Sequence, residues 1–148
     1  MNASGTLALV NRVTGQTIAS AVELATTRRS RRRGLLGRRE LDPSAALILS
    51  PCCAIHTAFM RFGIDVAFVD ACGRVVRIVR DLPPWRLAWS LRAHAVVEFS
   101  AGSLRLRDVL IGDVLDLAPA VSPAAGGPAS GAAAEWAAGV TWLRQAEG

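Results

Sequence analysis

The chain has 148 residues, a length that suits one compact domain and a tail, and its 51% apolar and 20% charged residues exclude wholesale disorder. No apolar run approaches the roughly 20 residues of a membrane-spanning helix. The N-terminus shows no basic region followed by a sustained apolar stretch, so a cytoplasmic protein is expected. The net charge is +5, with all 17 basic residues arginine. That favours anionic partners through long-range attraction, although the complete absence of lysine has the mark of a coding bias.

In chain order, Thr6 to Val10 and Thr17 to Leu24 are β-favouring runs separated by the turn-forming Asn11 to Gly15, which predicts a hairpin. Thr26 or Thr27 then caps a short helix through the arginine cluster, with Leu35, Leu36 and Leu41 as its apolar contacts. Asp42-Pro43-Ser44 marks a turn before a brief strand, Ala46 to Ser50. A strand over Ile55 to Met60 would place His56, Ala58 and Met60 on one face. Ile64, Val66 and Phe68 alternate with Asp65, Ala67 and Val69, the pattern of a strand with one face fully buried. A type I turn closed by Gly73 would set Phe68 against Val76 and Val66 against Ile78.

Asp81 to Trp85 contains consecutive prolines and reads as a loop. Ala93 to Phe99 reads as a strand, and Asp113 to Leu117 as a last short one. The connection from Leu104 to Ile111 suits either a strand or one or two helical turns. The composition then shifts to Pro, Ala, Gly and Ser. The folded domain is therefore expected over 1–118, a linker over 119–131, and a short C-terminal helix over 132–148 bearing Trp136, Val140 and Leu143 on one face. The whole predicts a mainly β domain, a small sandwich with one short helix.

The segment from Cys52 to Asp70, CCAIHTAFMRFGIDVAFVD, resembles the central signature of the domain of unknown function 192 family. Arg33-Gly34-Leu35, Gly73-Arg74-Val75, Leu82-Pro83-Pro84-Trp85, Glu98 to Gly102 and Ile111-Gly112-Asp113 follow the family's order, so the resemblance covers about residues 6–117. It implies a roughly jelly-roll-like β-sandwich without an assigned reaction. Ile55-His56-Thr57 is similar to a His-Thr branch of the family, Gly63 stands where proline is usual, and Asp108 where many relatives have glycine. Members of that branch are often encoded beside pilus or secretion components, which implies an accessory role.

His56 is the first candidate for chemistry, since an imidazole can carry a proton or bind metal near neutral pH. Its simpler reading is a half-buried residue that holds the sheet through hydrogen bonds. Asp65 and Glu98 project from strands among apolar neighbours. They either pair with arginines as a structural network or serve as an acid-base pair with His56 in a small hydrolase or metal-dependent enzyme.

Cys52, Cys53, His56, Cys72 and His94 lack the spacing of a metal site, so no metal or other cofactor is expected, and the odd number of cysteines suits free thiols. Arg28, Arg29, Arg31, Arg32 and Arg33 could bind anions. Without interleaved aromatic residues or a recognition helix, nucleic acid is disfavoured. Trp85 and Trp89 either close one end of the core or line a ligand groove. The leading expectation is a non-enzymatic module that binds a protein or small ligand through His56, Thr57, Met60, Asp65, Trp85 and Glu98.

Overall fold

A computed structural model of the chain describes residues 6–120. The C-terminal helix expected over 132–148, and all but the first two residues of the expected linker, lie outside them.

The order of elements is β1 (Leu7–Asn11), β2 (Thr17–Ala25), α1 (Arg28–Arg33), β3 (Ala45–Leu49), β4 (Ala54–His56), β5 (Ile64–Val69), β6 (Val75–Leu82), β7 (Leu87–Trp89), β8 (Ala95–Ser100), α2 (Ser103–Leu106) and β9 (Leu115–Pro119). Seven strands form one mixed sheet in the order β6-β5-β8-β3-β2-β1-β9, and β4 pairs with β7 as a separate two-stranded ribbon. Only the β2–β3 pair is parallel, bridged by the α1 crossover. The two outer strands of the sheet meet at one end through a bridge between Arg74 and Val114, with the Val75 amide donating to the Asp113 carbonyl at 2.8 Å. The sheet therefore curls toward closure.

The curl divides the core into two clusters. Inside lie Leu9, Ile18, Ile48, Val69, Val97, Phe99 and Leu115, sealed by Leu104 and Val109 from α2 and its following turn. On the outer face, Leu47, Leu49, Val66, Phe68 and Val96 pack beneath Leu35, Leu41, Ile55, Met60 and Ala88. β5 is buried along its whole length. Its expected single buried face is thus two, because the β4–β7 ribbon and the segment after α1 cover the side that would otherwise meet water.

The mainly β expectation holds, and the first hairpin forms as the turn chemistry predicts, with Gly15 at φ 75°. A second helix, α2, resolves the open reading of Leu104 to Ile111 in favour of a helical turn. Helix α1 is capped by Thr27, whose side chain accepts from the Ser30 amide while the Ser30 hydroxyl accepts from the Thr27 amide. It buries none of its own residues. Leu35 and Leu41, expected as helix contacts, are buried from the loop beyond Gly34.

Three local expectations need correction. The Asp70 turn closes with Gly73 at φ 79°, as anticipated, and sets Val69 opposite Val75, but Val76 then bulges, so Phe68 lies opposite Arg77 and Val66 opposite Val79. Strand β6 continues through Asp81 and Leu82, and the loop begins only at Pro83. Strand β4 stops at His56 rather than Met60: Phe59 takes φ 65° and the Met60 amide turns back to the Thr57 carbonyl at 3.1 Å. His56 and Met60 therefore do not share a strand face; His56 is exposed and Met60 buried.

Asp65 joins the pieces on the inner face. One carboxylate oxygen accepts from the Asp81 amide, where β6 bulges with Asp81 at φ 52°, and the other accepts from the Leu104 amide in the first turn of α2, both at 2.9 Å. The amides opening a helix have no partner within it. Gly102 supplies no side-chain cap, so a strand residue does that work. Asp65→Ala would strip the partner from both amides in a fully buried setting. It is expected to lower unfolding stability by roughly 2–4 kcal/mol, read as a lower urea midpoint, whereas Asp70→Ala in the exposed turn should cost much less.

Candidate functional site

A cleft of about 240 Å³ opens on the outer face of the sheet, between α1 with the segment after it and strand β4. Leu35, Leu36, Leu49, Ile55 and Met60 make its apolar walls, and Glu98 belongs to its lining. Arg28, Arg31, Arg32, Arg33, Cys52 and His56 supply the remaining polar groups. The arginines arrive together because Thr27 caps α1. The Arg31 guanidinium fastens the helix to the main chain by donating to the Thr26 carbonyl at 2.6 Å and the Ser50 carbonyl at 3.4 Å.

Glu98 is the chemically unusual member. It is 4% exposed, and its Oε2 is buried without a hydrogen-bond partner among the described residues. Its strand neighbours are Leu47 of β3 and Val66 of β5. Burial pushes its carboxyl up to about 7, against a smaller opposing pull from Arg38. Arg38 does not close on it. It forms a two-pronged ion pair with Glu23, which lowers the Glu23 carboxyl through the side-chain hydrogen bonds and raises Arg38 by the same contact. The expected pairing of Asp65 and Glu98 with arginines is thus not formed among the described residues: Asp65 is held by backbone amides, and Glu98 has no bonded cation among them.

Nor do the two carboxylates meet. Asp65 lies opposite Phe99, and Glu98 opposite Val66. Phe99 belongs to the inner cluster and Val66 to the outer, so the carboxylates project from opposite faces of the sheet. His56 and Met60 share the cleft with Glu98; Asp65, Thr57 and Trp85 are not among its lining residues, and neither is Arg29.

Thr57 is fully buried and knits the proline loop to β4. Its hydroxyl donates to the Pro83 carbonyl at 2.7 Å and accepts from the Arg86 amide at 2.9 Å. Trp85 stands on the loop that Thr57 holds, 60% exposed, rather than over the core. The three cysteines are free; the half-buried Cys52 donates to the Ala54 carbonyl, and burial raises its thiol, which keeps it protonated. Among the described residues no three His, Cys, Asp or Glu side chains gather in a way that could hold a metal ion.

The family model of domain of unknown function 192, described as uncharacterized ACR, matches residues 9–117. The chain belongs to this family. Two solved structures share the fold: a Sinorhizobium meliloti 1021 protein described as a "putative transcription regulator", 22% identical with a TM-score of 0.66 over 78% of this chain and 97% of that one, and a protein of unknown function from Novosphingobium aromaticivorans DSM 12444, 20% identical with a TM-score of 0.62 over 78% of this chain and 89% of that one. No curated protein matches the chain. Asp108 takes φ 49°, a left-handed conformation that glycine adopts without strain.

The sequence reading missed the cleft's apolar walls, because Leu35, Leu36 and Leu49 carry no chemistry that marks them. Glu98 could be found, since a lone carboxylate in Ala95 to Phe99 breaks the apolar run.

The raised Glu98 carboxyl has a consequence for stability. The native state keeps this proton at pH values where the unfolded chain, at the ordinary value of 4.5, has released it. Its stabilising contribution is therefore full below pH 4.5 and lost as pH rises through about 7. Glu98→Gln, which is neutral throughout, should be more stable than the wild type at pH 8 by up to about 3 kcal/mol. The difference should fade below pH 4.5, as urea midpoints measured across the range would show.

Proposed function

We propose that the protein is a non-enzymatic binding module whose cleft takes a small organic molecule with an apolar body, a hydrogen-bonding group that meets Glu98 and an anionic group at the arginines. The single observation that carries this reading is the buried, unpartnered Glu98 Oε2 in an apolar cleft. A carboxyl buried without a partner costs free energy, and valine or leucine would serve a purely structural position, as at Val66 and Leu47 beside it. A ligand that bonds to Oε2 offsets the cost. The volume lies below the roughly 300–1,000 Å³ of sites for drug-sized molecules, which suits a small metabolite.

The absence of a hydrogen bond from His56 to Glu98 among the described residues, the position of Asp65 on the far face and the protonated Cys52 support binding over catalysis. Free thiols at Cys52, Cys53 and Cys72 suit a reducing compartment and support a cytoplasmic location. The accessory role beside pilus or secretion machinery implied by the His-Thr branch belongs to the same proposal, since a ligand-binding module without chemistry of its own acts through a larger apparatus.

A panel of small monocarboxylic acids and phosphate esters, titrated calorimetrically at pH 6, should yield binders. Their affinity should fall roughly tenfold in Glu98→Leu, the effect of one lost hydrogen bond, and fall again in Arg28→Ala with Arg32→Ala. A panel without binders, or binding indifferent to both variants, would overturn the reading.

A further inference from the structure

The β4–β7 ribbon has two unlike faces. Ile55 and Ala88 turn into the outer cluster, while Ala54, His56, Leu87 and Trp89 are exposed on the other side, paired Ala54 with Trp89 and His56 with Leu87. Around them the exposure of large apolar residues is unusually high: Phe59 73%, Trp85 60%, Leu87 62%, Trp89 52% and Leu91 91%. The rings of Phe59 and Trp85 stack with centroids 4.6 Å apart, inclined at 60°.

The backbone holds that pair outward against its own preference. Phe59 takes φ 65° and Trp85 φ 63°, in the left-handed region. That region is unfavourable for a residue with a side chain. One carbonyl fixes both turns, since Thr57 accepts from the Met60 amide at 3.1 Å and from the Trp85 amide at 3.0 Å. Two strained turns thus present two large rings to water, where their exposure is unfavourable as well. Folding alone gives no reason for such an arrangement; a partner surface does.

The charge of the patch identifies the kind of partner. Segments 54–63 and 83–92, which contain the ribbon and its flanking loops, carry the exposed Arg61, Arg86 and Arg92, and contain neither aspartate nor glutamate. A further arginine, Arg77, lies 6.0 Å from the Trp89 ring and donates to the Trp89 carbonyl. The acids that bound these segments in the chain are engaged elsewhere: Asp65 is buried, Asp81 faces Arg105 at 3.6 Å and Glu98 is buried. Tryptophan, phenylalanine and leucine among arginines, without acids, is the composition that settles at the headgroup boundary of an anionic membrane.

We propose that the outer face of the β4–β7 ribbon, with the Phe59–Trp85 stack, docks on an anionic lipid surface. The rings and Leu87 enter the boundary between headgroups and acyl chains. The arginines reach the lipid phosphates of the charged leaflet.

The full chain, sedimented with vesicles of phosphatidylcholine alone and of phosphatidylcholine with phosphatidylglycerol, tests this. Binding is expected on the anionic vesicles only, weakening as salt rises. Trp85→Ser with Trp89→Ser, and separately Arg86→Glu with Arg92→Glu, should each reduce it roughly tenfold or more. Ile111→Ser, at another exposed apolar residue, should leave it unchanged, as should Glu98→Gln, which separates this surface from the cleft.

Equal binding to both vesicle types, or binding retained by the tryptophan pair of substitutions, would overturn the proposal. So would failure to sediment with anionic vesicles at low salt. In that last case, tryptophan-dependent self-association or binding to a purified protein would reassign the patch to a protein interface.

Discussion

The carboxylate of Asp65 is the interaction on which the rest of the arrangement depends. It sits on a strand buried on both faces, where an ion is costly unless it is fully bonded, and its two oxygens reach two segments far apart in sequence. One bond fixes the bulge that bends β6. The other opens α2, whose Leu104 seals the inner cluster. At the other end of β6, the bridge from Arg74 to Val114 joins the sheet's outer strands. A hydrophobic residue at position 65 would pack, but would leave two backbone amides without acceptors.

Glu98 makes the opposite use of a buried carboxyl. It lies one strand away on the other face, beside leucine and valine, and Arg38, the cation that pulls its carboxyl down, is turned toward Glu23. Its proton is therefore held up to about 7. Two carboxylates in adjacent strands thus differ in role because the sheet separates them: one is consumed by the backbone and the other is kept available at the cleft. That contrast, more than the presence of histidine or arginine, is what supports the proposed binding role of the cleft.

The ribbon that walls the cleft also carries the exposed aromatic patch, so one small element serves two faces. Thr57 makes this possible by bonding the proline loop with both hydroxyl and backbone, a demand on residue type that alanine or valine could not meet. His56, its neighbour, is left free on the outer side of the same strand and at the cleft. The His56-Thr57 pair therefore divides into an exposed residue and an anchoring one.

Much of the fold was legible because its causes are local. Alternation in Ile64 to Val69 and Ala95 to Phe99 sets strand faces, Asn11 to Gly15 and Asp70 to Gly73 carry their own turn chemistry, and Thr27 with Ser30 caps α1 within four residues. The ordered motifs from Arg33 to Asp113 were enough to indicate the family. What tertiary structure alone decided depends on partners distant in sequence. The Leu104 amide 39 residues away settles the role of Asp65, and strand pairing through β8 sends it and Glu98 to opposite faces. The early end of β4 follows from a turn at Phe59 that bonds across to the proline loop, and the bulge at Val76 shifts a register whose turn was read correctly. Local steric preference acts through a few residues and is written in the sequence; which buried polar group meets which partner is settled only when the sheet has brought them together.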